Sequence, residues 1–238
     1  PVMYSACARV QGERERIGNA YLTLVAAIAL FAIPIFSVIS TVAETFILAL
    51  YGSAWIEAGE VLRPIALAMP LLLLWNVTTP LFWTNGQPSL EFKMQIPLMV
   101  LWIVTILFAV QYSIAVVAWT VFGLYTIRTG VFIIAASRMV GITIGNYYRA
   151  VRGGILLSLI VAFFAWGMNA WLSQMGQTAP LRLLQLVLGC GVVLLICLKL
   201  FPQLISTRLT ETIHQSARNM PRNVSRGITW FTGGVNHK

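Results

Sequence analysis

Val42-Ala-Glu-Thr-Phe-Ile-Leu-Ala-Leu-Tyr-Gly-Ser-Ala-Trp-Ile-Glu-Ala-Gly-Glu-Val-Leu62 joins two long apolar segments and holds Glu44, Glu57 and Glu60 but no Lys or Arg. Basic residues crowd elsewhere: Arg9, Arg14 and Arg16 precede the first apolar segment, and five more lie between Arg208 and Lys238, ends included. Lys and Arg of a membrane protein collect in its cytoplasmic loops, and that bias sets orientation. The 42–62 loop is therefore expected outside, and each later segment is placed by alternation.

The composition agrees with a membrane chain. The sequence is 58% hydrophobic and 10% charged, with a mean hydropathy of +0.82. Soluble domains carry about 25% charged residues. A transmembrane barrel would show ten-residue segments of alternating polarity, whereas these apolar runs are continuous and long enough for a spanning helix. The fold class is all-α, a polytopic membrane helix bundle. Six spans are expected, at about 21–42, 63–83, 94–110, 114–136, 153–171 and 183–201, with a basic cytoplasmic tail at 202–238. Of the 16 Lys and Arg, Arg63 and Arg182 fall at outer span ends and Arg128 within a span. The others all fall inside, which puts both ends of the chain in the cytoplasm. The net charge of +9 is thus read as topogenic, and nucleic acid is not expected as a partner. Tail residues Arg218, Arg222 and Arg226 are expected to meet anionic lipid head groups.

The first span contains Pro34, and the second Pro70 and Pro80, with Pro64 expected in its first turn, where proline costs little. Proline inside a helix frees the carbonyl four residues back, and at membrane depth that group needs another partner. Pro34, Pro70 and Pro80 are accordingly hinge candidates. Asn76 and Thr78 in the second span and Arg63 at its outer end are candidates to line a cavity. Residues 44–50 read as an interfacial turn of helix with Trp55 at headgroup level. Asn85-Gly86-Gln87-Pro88 turns the chain before Pro97, near the start of the third span. Residues 142–151 read as a short interfacial helix separate from the fifth span.

No His or Cys cluster has ligand spacing, and His214 and His237 stand alone in the tail. No metal, cofactor or catalytic residue is expected. Cys190 and Cys197, seven apart in an apolar helix, read as small packing residues. The first ten residues read as the end of an earlier apolar segment, so the chain is expected to be the C-terminal part of a longer protein.

A family pattern runs through these segments. Pro1-Val-Met-Tyr-Ser-Ala-Cys-Ala-Arg-Val-Gln-Gly-Glu-Arg-Glu-Arg16 resembles the segment before a late span in bacterial polysaccharide flippases of the Wzx type. Tyr51-Gly52-Ser53-Ala54-Trp55, followed by Val61-Leu62, is similar to their Phe-Gly-x-x-Trp outer-loop motif. Gly86 matches their inner-turn glycine, and Arg138-Met-Val-Gly-Ile142 resembles their basic-x-x-Gly-Ile segment. Gly153-Gly154 stands where the family has proline. The resemblance implies the multidrug/oligosaccharidyl-lipid/polysaccharide exporter superfamily, with this chain as most of the C-terminal lobe of a two-lobe transporter. It further implies a lipid-linked oligosaccharide, carried on undecaprenyl pyrophosphate across the bacterial inner membrane, as substrate. Membrane lipids and other polysaccharide-assembly proteins are the remaining partners, and no bond is made or broken. An ion-coupled drug exporter of the same superfamily and a non-transporting subunit of a polysaccharide-assembly complex stay open beside it.

Arg128 is the residue on which these readings turn. It lies about three residues past the middle of its span, roughly 5 Å toward the inner side at 1.5 Å per residue. An unpaired charge there costs about 2.5–3.5 kcal/mol on insertion scales. On its own helix face only the Tyr125 hydroxyl offers a polar neighbour. The offset is then snorkelling to the inner surface, a carboxylate on the other lobe, or an anionic ligand. Arg128 and Tyr125 complete the set of substrate or cavity candidates.

Overall fold

A computed structural model describes residues 14–200. The sequence segments 1–13 and 201–238, with all but the last three residues of the opening motif, Cys7, the two histidines and the basic tail, lie outside the described residues. Seven α-helices follow one another: α1 (Arg14–Thr41), α2 (Ala43–Tyr51), α3 (Ala58–Thr84), α4 (Pro88–Ala109), α5 (Ile114–Val140), α6 (Ile144–Gln174) and α7 (Ala179–Leu200). A single 3₁₀ turn, Ser53–Trp55, links α2 to α3. All but α2 are long and apolar enough to cross a membrane. The chain is a multi-pass membrane protein.

α1 runs through the centre, packed on α6 along one side and α3 along the other. α3 in turn carries α5, α4 leans on both α5 and α3, and α7 rests on α6 and α2. Lipid supplies no hydrophobic drive between helices, so close packing and interhelical hydrogen bonds hold them. Small residues do this for the central pair. A Cβ at Gly154 would stand 2.1 Å from the Ala29 carbonyl oxygen, so α1 and α6 touch backbone to backbone. Two cores result. Ile17, Tyr21 and Val25 of α1 join Phe82 of α3 and Phe132 of α5, while Leu30 joins Leu157 and Val161 of α6 and Leu186 of α7. Cys190 and Cys197 are free thiols buried in the second core, in the packing role expected of them.

Hydrogen bonds between helices pin the first core. Thr78 donates to the Leu74 carbonyl at 2.7 Å, which leaves Tyr21 to donate to Thr78 at 2.9 Å across the α1/α3 contact. The turn after α3 forms as expected around Gly86, whose φ of 70° favours glycine. The Trp83 indole N–H donates to Glu91 across it.

Three boundaries differ from expectation. α3 begins at Ala58, so Pro64 stands inside the helix rather than in its first turn. The cause is Gly59, where a Cβ would meet the Glu44 Cα at 2.9 Å: α3 starts early because its first turn packs on α2. α4 begins at Pro88, which takes the N1 position and leaves Pro97 in the interior, exposed. Residues 144–151 are no separate interfacial helix but the first two turns of α6. The Gly153-Gly154 pair does not break that helix, because the side chain missing at Gly154 is what lets α6 close on α1. At 31 residues, α6 is about 46 Å long, well beyond a hydrocarbon core of about 30 Å.

Candidate functional site

The site is built on α5. Thr129, buried at 2% exposure, donates to the Leu71 carbonyl of α3 at 3.1 Å. This bond fixes the rotation of α5 against α3 where Arg128 projects. One turn along α3 from Leu71 stands Trp75, and the Arg128 guanidinium lies over its ring, 3.7 Å from the centroid. The indole is held in turn by the edge of Phe132, at 6.2 Å and 89°, and Phe132 by Phe82 at 5.6 Å. A desolvated cation–π contact is worth about 2 kcal/mol, most of the insertion cost of such a charge. An aromatic partner is thus added to the three offsets weighed from the sequence. The available signal was position: tryptophan gathers at membrane interfaces, and Trp75 falls in the middle of its span.

Away from Trp75, Arg128 borders a groove of about 560 Å³ between α4 and α5. Gln95 and Trp102 of α4 and Tyr125 of α5 line its polar part. Tyr125 meets the Trp102 ring edge-on at 5.3 Å and 89°. Leu98, Met99, Ile103, Ile106 and Leu107 line the rest. Three polar atoms of this lining, Gln95 Oε1, Trp102 Nε1 and Arg128 Nε, are buried with no hydrogen-bond partner. Arg128 and Tyr125 are therefore brought together, and Gln95 and Trp102 are additions that the sequence reading passed over.

The other candidates lie apart. Thr78 is fully buried in the dry α1/α3 contact, bonded to Tyr21. Asn76 is exposed on α3. Arg63 is paired with Glu44 of α2 at 2.8 Å, both side chains about half exposed. Pro34 and Pro70 are buried and Pro80 is half-buried, each inside an unbroken helix. Among the described residues, no three His, Cys, Asp or Glu come together as a metal-holding group.

Residues 1–60 match the family described as polysaccharide biosynthesis protein. The teichuronic acid biosynthesis protein TuaB of Bacillus subtilis (strain 168) is 22% identical over 214 residues, covering 88% of this chain and 44% of that protein. Both comparisons are likenesses to polysaccharide-biosynthesis proteins. The chain spans less than half the length of that relative, and no solved structure matches it.

The part matched to the family takes in the 42–62 connection as far as Glu60, and there the structure builds a second polar cluster. Thr45 of α2 donates to Asn169 Oδ1 of α6 at 2.9 Å, and Arg182 of α7 donates to the same oxygen at 2.9 Å. With Arg63 and Glu44 on its other side, α2 is tied to α3, α6 and α7 together. The Tyr-Gly-x-x-Trp motif follows at its end: Gly52 caps α2 at a φ of 84°, and Trp55 is 62% exposed.

Proposed function

We propose that this chain is part of a transporter that flips undecaprenyl-pyrophosphate-linked oligosaccharide across the bacterial cytoplasmic membrane for surface polysaccharide biosynthesis. The observation that carries the reading is Arg128: a charge near the middle of its span, seated on an aromatic face and bordering a groove. A sugar–pyrophosphate head group cannot enter hydrocarbon unless protein groups replace its water, and a guanidinium can hold phosphate oxygens by a forked pair of bonds. The lipid tail stays in the bilayer throughout. Two lobes rocking about a site near the midplane then open it to each side in turn. No chemistry on the substrate is involved, and both ends of this chain face the cytoplasm.

An ion-coupled drug exporter would use a carboxylate within the membrane. Glu44, the acidic residue nearest a span core in the sequence reading, is instead paired with Arg63 at an exposed helix end, which favours the flippase. The test is surface polysaccharide in a flippase-null strain carrying the whole transporter, with membrane levels measured for each variant. Arg128→Lys keeps partial export, because charge survives without the fork, and Arg128→Ala loses export at normal membrane levels. Full export by a well-inserted Arg128→Ala protein overturns the proposal.

A further inference from the structure

The groove between α4 and α5 has a polar end and an apolar end, and the two are ordered along α4. Gln95, Met99, Trp102, Ile103, Ile106 and Leu107 follow one another at helical spacing. From Gln95 to Leu107 the row is about 18 Å long at 1.5 Å per residue. Its floor opens onto the apolar outside of the bundle, since Met99, Ile103 and Leu107 are each more than half exposed. The polar end holds two donors without acceptors, Arg128 Nε and Trp102 Nε1, and one acceptor without a donor, Gln95 Oε1. A buried polar atom left unpaired costs about 1–3 kcal/mol, so three beneath one groove describe the ligand that would satisfy them once their side chains turn toward it. Two donors, one of them cationic, call for the oxygens of a phosphate. The lone acceptor calls for a hydroxyl close by. The row beyond calls for hydrocarbon, and it is a single file between two helices.

We infer that the α4/α5 groove seats a single-chain phosphorylated lipid. Its phosphate meets Arg128 and Trp102, a sugar hydroxyl meets Gln95, and its chain lies along Ile103, Ile106 and Leu107 toward the C-terminal end of α4. The identity of that lipid, a polyprenyl pyrophosphate bearing sugar, rests on the function proposed above. The direction of the groove suits it. With the start of α4 at the cytoplasmic side, the head lies on the inner side of the tail, as in a lipid taken from the inner leaflet. The groove would then be where the substrate leaves the bilayer for the protein.

The experiment uses the whole transporter in lipid nanodiscs and a polyprenyl pyrophosphoryl-glucose with a diazirine on its chain, the labelled peptides being read by mass spectrometry. The α4 peptide spanning Met99 to Leu107 is labelled, and Arg128→Gln lowers that labelling about tenfold, the loss of one hydrogen bond to a charged group. Ile103→Trp fills the apolar end from a position 53% exposed and abolishes labelling without touching the polar end. Equal labelling by chain-tagged polyprenol or by chain-tagged phosphatidylglycerol marks ordinary lipid contact and overturns the inference. Undiminished labelling of Ile103→Trp overturns it as well, even where Arg128→Gln inserts poorly. Labelling is measured without transport, so the two readings fail separately. A protein that labels as expected yet exports normally as Arg128→Ala keeps the seat and loses the proposed route. One that needs Arg128 for export but labels nowhere on α4 keeps the route and loses the seat.

Discussion

Arg128 raises the question of how a cation is kept at membrane depth with no carboxylate in ion-pair contact among the described residues, and Trp75 supplies much of the answer. The guanidinium lies 3.7 Å from the ring centroid, and the ring is braced by Phe132. The geometry predicts that the two side chains are energetically coupled. In a double-mutant cycle of Trp75→Leu and Arg128→Met, measured by reversible unfolding in micelles, the coupling is expected at about 1–2 kcal/mol. Trp75→Phe, with a weaker ring, is expected to keep part of it. Additive effects of the two substitutions would show that Arg128 gains nothing from the indole. Thr78 is the opposite case. From sequence it is a polar group at membrane depth, suited to a cavity. Folded, it receives the Tyr21 hydroxyl and gives its own proton to Leu74, so its polarity is consumed in holding α1 to α3.

Among the elements, α1 and α6 form the contact on which the described bundle depends, and Gly154 sets their distance. A methyl group there would overlap the Ala29 carbonyl oxygen at 2.1 Å, and a backbone atom cannot swing aside as a side-chain end can. Gly154→Ala is therefore expected to separate the helices and destabilise the protein by about 1–3 kcal/mol, read as a lower unfolding midpoint in detergent. Gly145, with open space around its α carbon, is the control: Gly145→Ala is expected to leave the midpoint unchanged or raise it, since alanine favours helix. Equal effects at the two positions would contradict the close contact. The short α2 works differently. It is bound by polar side chains to helices of both cores, through Glu44 to Arg63 and through Thr45 to Asn169 beside Arg182.

For the whole molecule, the basic residues predict which end faces which side, and the structure supplies exposed positions at which to ask. Ser53 and Thr178 lie in exposed connections at one end of the bundle, and Gln87 and Gly145 are exposed at the other. Single cysteines at these positions, on a background lacking Cys7, Cys190 and Cys197, are to be labelled in intact cells with an impermeant thiol reagent. Positions 53 and 178 are expected to react from outside and 87 and 145 only after the cells are opened. External labelling at 87 or 145 would invert or scramble the six-span arrangement.

The six membrane helices were legible in the sequence because spanning a bilayer makes a local demand: each must present enough consecutive apolar residues by itself. The turn at Gly86 and the buried cysteines of α7 were legible for similarly local reasons. The site was legible only at its charge. Arg128 and Tyr125 are one turn apart on the same helix, so their proximity follows from helical spacing. Trp75 comes from α3 and Gln95 and Trp102 from α4, and in lipid apolarity does not tell a helix which face meets its neighbour. Likewise, Gly153-Gly154 read locally as a place for a helix to begin, and Pro64 as a first-turn proline. Tertiary contact decided otherwise, because close approach of two backbones rewards the glycines at 59 and 154 and extends α3 and α6 past their apolar limits.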